Sequence, residues 1–579
     1  MHPLFLFATP VHLLVLMKQK KLIWILLVLA IGGLSFYFAS EQKEKIRGNK
    51  QYGGVLRIST KNKQLSLFPL GDNTLDQQRI QQLVYEPLLK PSQNKRGWRY
   101  CLASKVQFNR NKTKVTIHLK KNVLFANNAC FRFHSRELTA VDVAYSLSLA
   151  CAQQPGLQQE LFLPRLIIGG DDYYRKKINP LDAFVPGIHI IDKHTLKINL
   201  TAAYNHFLNI LSSPSLCILS KKSADFYGAQ LQKNPVGTGP FELQKKLNNR
   251  WIFERNPDYW RHDRFGNQLP YLDKVEVACG VPGQVAQRLF LRNKLDLVFD
   301  LPIDDLKEAF GTLSDAKLGK NPLHEVYVKN AAKVHFIQFN CQRPPFNQIA
   351  VRKAFKLVID VDNICNDILL GEGRGLNGLF IPPQTYYQNK LLGEDPLSLN
   401  QKIKQAQMLL LKAGYHANNP FPTIVFYVGA PNNTIAYKWS KAAAEMLTKA
   451  LNINIVLKES RKPSNGMNNN SGEIWRSGWV GDYPGAESYL RLFYSASQNP
   501  KMFHNASVDS LYLGSVRARS QVERISAQQK CEREIINQVA LIPIYTEDFI
   551  VLNQLRIRGL DLQETGLLDF SMLFRKEIN

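Results

Sequence analysis

Cysteine is sparse and poorly spaced for chemistry. The eight residues, at 101, 130, 151, 217, 279, 341, 365 and 531, include no Cys-x-x-Cys and no Cys/His cluster at zinc-ligand spacing, which argues against a metal site. One or two disulfides or a set of buried free thiols both remain open on spacing alone. Catalytic signatures are missing as well: there is no phosphate-binding Gly-x-x-x-x-Gly-Lys-Ser/Thr, no Gly-x-Ser-x-Gly and no His-Glu-x-x-His. Gly373–Gly378 fits Gly-x-Gly-x-x-Gly, but it follows a helical stretch instead of a strand. Ile381-Pro382-Pro383 then forbids the helix that would hold a pyrophosphate. No cofactor is expected, and no enzyme. Acidic residues are in deficit, 47 against 74 basic, for a formal charge of +27. That excess favours anionic surroundings. The Lys and Arg residues are spread along the whole chain, with no basic arm and no RNA-binding aromatic motif, so nucleic acid is not an expected partner.

What is present points to export. Lys18, Lys20 and Lys21 precede an apolar run from Leu22 to Ala39, and charge resumes at Glu41, Lys43 and Glu44. A basic flank followed by such a run is threaded into a membrane with its positive end inside. It reads either as a cleaved signal peptide or as a retained anchor, since the run is about long enough to span hydrocarbon. No cysteine stands at its end, which excludes a lipid-modified N-terminal cysteine.

Past a polar stretch ending at Tyr52 the pattern is mixed α and β in a chain long enough for two or three lobes. Period-two alternation predicts strands from Gly53 to Ser59 and from Lys114 to Leu119, and further strands are expected near 189–200, 251–254, 274–278 and 295–299. Helical spacing is read over Ile80–Leu89, and Thr139 with Asp142 forms a capping box for the helix that follows. A helix over Val351–Leu370 turns Ala354, Phe355, Val358 and Ile359 inward, and another over Gln401–Ala413 stops at Gly414. Strand 424–428, helix 436–451 and strand 453–457 give a β-α-β unit, and Pro463–Gly472 reads as a loop.

Six gapless segments then line up with a known family. Gly53-Gly54-Val55-Leu56-Arg57, Val84-Tyr85-Glu86-Pro87-Leu88-Leu89, Leu102-Ala103-Ser104, Leu138 to Ser146, Asn234 to Phe241 and Glu254 to Trp260 occur in order. Later come Phe339-Asn340 with Pro344-Pro345-Phe346, Val351 to Phe355, Ile359-Asp360, Gly478-Trp479-Val480-Gly481-Asp482-Tyr483-Pro484 and Ile542-Pro543-Ile544-Tyr545. From about Gly53 onward the chain resembles the family 5 extracellular solute-binding proteins of ABC transporters, which bind oligopeptides, dipeptides or nickel.

The resemblance implies an α/β, two-lobed periplasmic-binding-protein fold (type II, cluster C) with an extra α+β subdomain, here preceded by one N-terminal apolar helix. Mapped onto this chain, 1–51 is the signal or anchor with its linker. The first lobe takes 52–70, 185–275 and 541–579, the subdomain 71–184, and the second lobe 276–540. The implied role is capture of a short peptide and delivery to the permease subunits of an importer, by a periplasmic monomer that is either free or tethered to the inner membrane. Asp482 matches the family's aspartate for the peptide α-ammonium. Trp479 matches the tryptophan three residues earlier, with core packing as its alternative role. Arg476 matches an arginine that meets the peptide carboxylate, with a surface ion pair as its alternative role. Val480 stands where some relatives place a cysteine, and Leu67-Phe68-Pro69 stands where many carry Leu-Asp-Pro. The turn glycines, prolines and the Tyr259-Trp260 pair are expected to serve the fold. A metal chelate, a sugar or a cell-wall peptide is the alternative cargo, and a membrane-anchored structural or nucleic-acid-binding protein is the alternative of another class.

Overall fold

The structure is a computed structural model. It describes residues 47–576 apart from 49, 71–73, 93–97, 154–162, 205, 302–323, 371–372, 377–379, 383–396, 460–471, 482, 484, 496–502, 519 and 564. The apolar run 22–39, the loop 463–471 and Asp482 thus lie outside the described residues; Gly472 opens a strand.

In chain order, β1 (Val55–Thr60) leads to α1 (Leu75–Gln81), β2 (Leu89–Pro91), β3 (Trp98–Tyr100), β4 (Ala103–Phe108) and β5 (Lys114–Leu119). Helix α2 (Ala140–Cys151), the hairpin β6 (Ile188–Asp192) and β7 (Thr195–Asn199), and α3 (Lys221–Tyr227) follow, then β8 (Phe241–Lys246), β9 (Arg250–Arg255) and β10 (Lys274–Cys279). Strand β1 pairs in parallel with β10 in a four-stranded sheet ordered β1-β10-β9-β8. A second four-stranded sheet, β4-β5-β7-β6, is antiparallel throughout. In β5 the alternation is realised in full, since Val115, Ile117 and Leu119 are buried and the residues between them are not. Helix α2 starts as read: Thr139 and Asp142 close the capping box, with Asp142 accepting the Thr139 N–H at 2.9 Å.

The second half builds the largest sheet. It contains β11 (Leu297–Phe299), β12 (His324–Phe339), β13 (Arg374–Gly375), β14 (Ile424–Tyr427), β15 (Ile455–Lys458), β16 (Gly472–Val480) and β17 (Leu541–Gln554), in the order β11-β17-β12-β16-β14-β15 with β13 on β17. Helix α4 (Ile349–Val358), α5 (Leu399–Lys412) and α6 (Ile435–Leu451) cover one face, and β14 and β15 run parallel around α6, the expected β-α-β unit. Helices α7 (Ala506–Arg517) and α8 (Gln521–Asn537) lie before β17. Strands β12 and β17 are long because they serve two cores. Ile337, Phe339, Ile542 and Ile544 belong to the core under α4 and α6, whereas Val334, Phe336, Phe549 and Val551 join the core shared with β1 and β10.

Three readings need correction. The apolar spacing of 80–89 is not a helix through Leu89: α1 stops at Gln81, because Pro87 cannot sit inside a helix and the backbone beyond it has other partners. The carbonyls of Leu83 and Val84 accept the N–H groups of Phe241 and Gly239, both at 2.8 Å. Residues 189–200 form a hairpin instead of one strand, turning where His194 N–H meets Asp192 Oδ1 at 2.8 Å. The 351–370 stretch breaks after Val358, where Asp360 accepts the Asn363 N–H and starts a separate turn, although Ala354, Phe355, Val358 and Ile359 are all buried as expected.

Candidate functional site

Strand β16 carries two of the three predicted site residues and sits between β12 and β14. Its pairing on the two sides is unequal. Along β12 it is bonded from Ile474 to Val480, with Ile337 opposite Arg476, His335 opposite Gly478 and Lys333 opposite Val480. Along β14 it is bonded only from Gly472 to Trp475, because β14 ends at Tyr427. Among the described residues no strand pairs with the other edge of 477–480, and Gly478 is exposed although it lies in a central strand. An open edge of this kind presents unpaired N–H and C=O groups at the spacing of an extended chain.

Alternation places Arg476 and Trp479 on opposite faces of this strand. Arg476 shares its face with Ile337 and His335, and its Nε donates to the Val428 carbonyl at 2.6 Å. Trp479 lies with Val334 against the other core, half-buried; its Nε1 donates to the Ser488 carbonyl at 2.9 Å and the Arg491 guanidinium sits 5.8 Å above the ring. Beyond Val480 the chain is tightly seated. A Cβ on Gly481 would lie 2.6 Å from Ser488 Oγ, and Tyr483 is fully buried. Asp482, between them, is outside the described residues.

Two charged groupings flank this strand that the sequence reading did not anticipate. On the Arg476 side, Glu547 accepts from Lys333 Nζ at 2.6 Å and from His335 Nε2 at 2.7 Å, and His335 stacks on Tyr545 at 4.4 Å. Burial pushes the Glu547 carboxyl up, but Lys333 and His335 overcome it and hold it well below the usual range. Burial lowers His335 to about 4 despite Glu547, so the imidazole is neutral. On the Trp479 side, His206 is also lowered to about 4, first by burial, with Glu487 opposing and Arg524 and Arg491 assisting. His206, Glu487 and Arg491 are each at most 3% exposed, and the segment after His206 approaches residues 485–491, a Cβ on Gly485 standing 3.7 Å from Asn209 Nδ2. Partners roughly 200 to 300 residues apart leave no local pattern; the only hint was charge inside otherwise apolar strands at 333, 335 and 547.

Three of the marker segments prove structural. Glu86 is completely buried and accepts from Tyr259 Oη at 2.9 Å, Trp260 Nε1 at 2.7 Å and Lys90 Nζ at 2.9 Å. Gly237 and Gly239 cross over the same turn, where a Cβ would stand 1.9 and 2.6 Å from the Val84 carbonyl oxygen. Three of the markers thus close on one buried carboxylate. All eight cysteines are free thiols, seven of them buried. Among the described residues no group of three or more His, Cys, Asp or Glu could hold a metal. A concavity of about 480 Å³ lined by Cys341, Gln342, Arg352, His504 and Gln538 lies past the other end of β12, six residues or about 20 Å along that strand from the Lys333–Val480 pair.

Two α/β bodies bridged by long shared strands, with an open strand edge beside the crossing, define a bilobal binding protein. Residues 98–501 match the family described as bacterial extracellular solute-binding proteins, family 5, middle region, and the chain belongs to that family. It is 25% identical over 442 residues to the periplasmic oligopeptide-binding protein OppA of Escherichia coli, covering 74% of this chain and 76% of that one. It is 24% identical over 583 residues to the dipeptide-binding protein DppE of Bacillus subtilis, covering 96% and 99%. Among solved structures it resembles Haemophilus influenzae OppA in complex with the peptide RPPGFSPFR, with a TM-score of 0.73, 21% identity and coverage of 91% of this chain and 99% of that one.

Proposed function

We propose that this chain is the solute-capturing component of an ABC importer, that its cargo is a short peptide, and that it delivers this cargo to permease subunits without chemical change. The observation that carries the reading is the open edge of β16 from Ser477 to Val480, next to the Asp482 position. An extended peptide adds there as a strand, its backbone paired and its side chains left to loose pockets. Asp482 neutralises the α-ammonium, which selects ligands with a free amine. Trp479 packs on the ligand from one side and Arg476 receives the carboxylate from the other face, a fork matched to that group.

Lobe closure around the peptide is the signal to the permease, because only the closed form sets both lobe surfaces in docking register. In this reading the lobes divide as 52–70, 185–275 and 541–579 against 276–540, with 71–184 as the third body. The sheet β1-β10-β9-β8 supports joining 52–70 to the 185–275 stretch through β9 and β8, with β10 itself running past the 275/276 boundary to Cys279. The protein works as a monomer in the periplasm, and the apolar run Leu22–Ala39 holds it to the inner membrane.

The test is calorimetry of Asp482→Asn with a free-amine peptide and its N-acetylated form. The parent binds the free-amine peptide and rejects the acetylated one; the variant loses the free-amine peptide. Unchanged affinity in the variant rejects the assignment of Asp482. Mass spectrometry of ligand released from the purified protein identifies the cargo, and a metal chelate, sugar or cell-wall peptide there replaces the short peptide.

A further inference from the structure

One end of the molecule combines the point where the chain enters the fold with aromatic side chains left in solvent. Arg47 and Asn267 are locked by reciprocal bonds, Arg47 N–H to Asn267 Oδ1 at 3.1 Å and Asn267 Nδ2 to the Arg47 carbonyl at 2.9 Å. Gly48, at φ +77°, crosses the ring of Phe265 so closely that a Cβ would stand 2.4 Å from it. The same hairpin reaches back through Gln268 Nε2, which donates to the Pro257 carbonyl at 2.9 Å, and the adjacent Asp258 binds Arg136 at 2.8 Å. Arg136 closes the loop that carries Phe133, 84% exposed. Lys222 Nζ donates to the Ser135 carbonyl of that loop at 2.7 Å, bringing in α3 with Phe226, 61% exposed.

Among the described residues three guanidiniums here lack an ion-pair partner, while Asp263, in the same turn as Arg264, is held by hydrogen bonds from Asn267 and Tyr271 and not by a cation. Arg132 stacks over Phe133 at 5.5 Å and Arg264 over Phe265 at 4.7 Å. Arg47, Arg132 and Arg264 have no carboxylate partner among the described residues, whereas Asp258 is taken by Arg136 and Asp225 by Lys221. An aromatic ring beside an unpaired guanidinium suits the boundary between headgroups and acyl chains, where the ring enters and the cation meets lipid phosphate.

Chain length decides which end can meet a bilayer. Seven residues separate Ala39 from Arg47, a reach of at most about 25 Å. A folded body of this size is about 60 Å across. A tether so much shorter than the body keeps the Arg47 end against the membrane and the far lobe away from it. We infer that the face formed by the 132–136 loop, Phe226 of α3 and the Arg264–Phe265 turn docks on the anionic phospholipid surface of the bilayer to which the chain is tethered. This inference rests on the tethered reading of the N-terminal segment. It gives the receptor a fixed orientation, with the 476–482 region presented from a constant direction.

The test uses the full chain reconstituted into vesicles of phosphatidylcholine alone or mixed with phosphatidylglycerol. An environment-sensitive fluorophore is placed at His134→Cys, next to Phe133, and, as a control, at Val522→Cys, a position 79% exposed on α8. Quenching by headgroup spin-labelled lipid is then measured. The expected result is strong quenching at position 134 in phosphatidylglycerol vesicles, several-fold weaker in phosphatidylcholine or in the Phe133→Ala/Phe226→Ala background, with little quenching at 522. Equal and weak quenching at both positions in a chain that floats with the vesicles overturns the docking face and leaves the tether standing. A chain that does not float removes the tether and the docking face with it.

Discussion

Replacing Glu86 by Gln tests whether the marker segments are held together by one carboxylate. Each Glu86 oxygen faces donors only: Oε1 takes Tyr259 Oη and Lys90 Nζ, and Oε2 takes Trp260 Nε1. A glutamine amide of the same shape must point its NH2 at one of these sets, and the Lys90 cation, 8% exposed, loses its counter-charge. Breaking a buried ion pair by removing one partner costs about 3–5 kcal/mol. With a urea m-value of about 3 kcal/mol/M or more for a chain of this length, the unfolding midpoint falls by about 1 M. Lys90→Met is also destabilising, and Glu86→Gln/Lys90→Met costs less than the sum of the two, the signature of a direct pair. Urea unfolding followed by tryptophan fluorescence reads the effect, with Trp260 as a local reporter, and far-UV circular dichroism reads the whole fold. A Glu86→Gln midpoint equal to that of the parent, with additive single substitutions, refutes the argument.

The remaining predictions concern pH, glycine and thiols. His206 and His335 are held neutral at about 4 by burial, so between pH 6.5 and 4 the unfolded chain binds more protons than the folded one. Stability is therefore full above pH 6.5 and declines as pH falls toward 4, by roughly 3 kcal/mol for each imidazole; His206→Gln should flatten part of that slope in midpoint-against-pH measurements. Glu86 and Glu547, both held below the ordinary range by their cations, contribute stability that is lost only at more acid pH. Gly237→Ala forces a methyl onto the Val84 carbonyl and should lower stability by about 1–3 kcal/mol or more, whereas Gly414→Ala, with open space around it, costs only the strain of φ +92°. Thiol reagent at neutral pH should leave the seven buried cysteines unmodified, because burial pushes Cys101 up to about 12 and Cys279 up to about 11, and should modify all eight in urea.

Much of this molecule was readable one segment at a time. The Thr139–Asp142 capping box, the alternation of 114–119 and the β-α-β unit from 424 to 458 depend on neighbours within a few residues or one turn, and period and capping chemistry report such neighbours directly. The order of the marker segments identified the family, and the resemblance is what directs the proposal to residues 476–482. Where the reading failed, distant partners had overruled local preference. The 80–89 stretch has helical spacing, yet its backbone is claimed by Phe241 and Gly239, some 150 residues on. Likewise, no spacing rule reveals that Glu86 waits for Tyr259 and Trp260, or that His206 meets Glu487.

The amino-acid order alone settled the secondary elements with strong periodicity, the missing catalytic and metal chemistry motifs, and membership in a family. Only the folded chain decided that Arg476 and Trp479 leave their strand on opposite faces, that β14 stops short and leaves an edge open, and that neutral histidines lie beside carboxylates in each flank. The first kind of information is written in contacts a few residues long. The second exists only after loops of hundreds of residues have closed, and the energy that closes them comes from burying apolar surface across the whole chain.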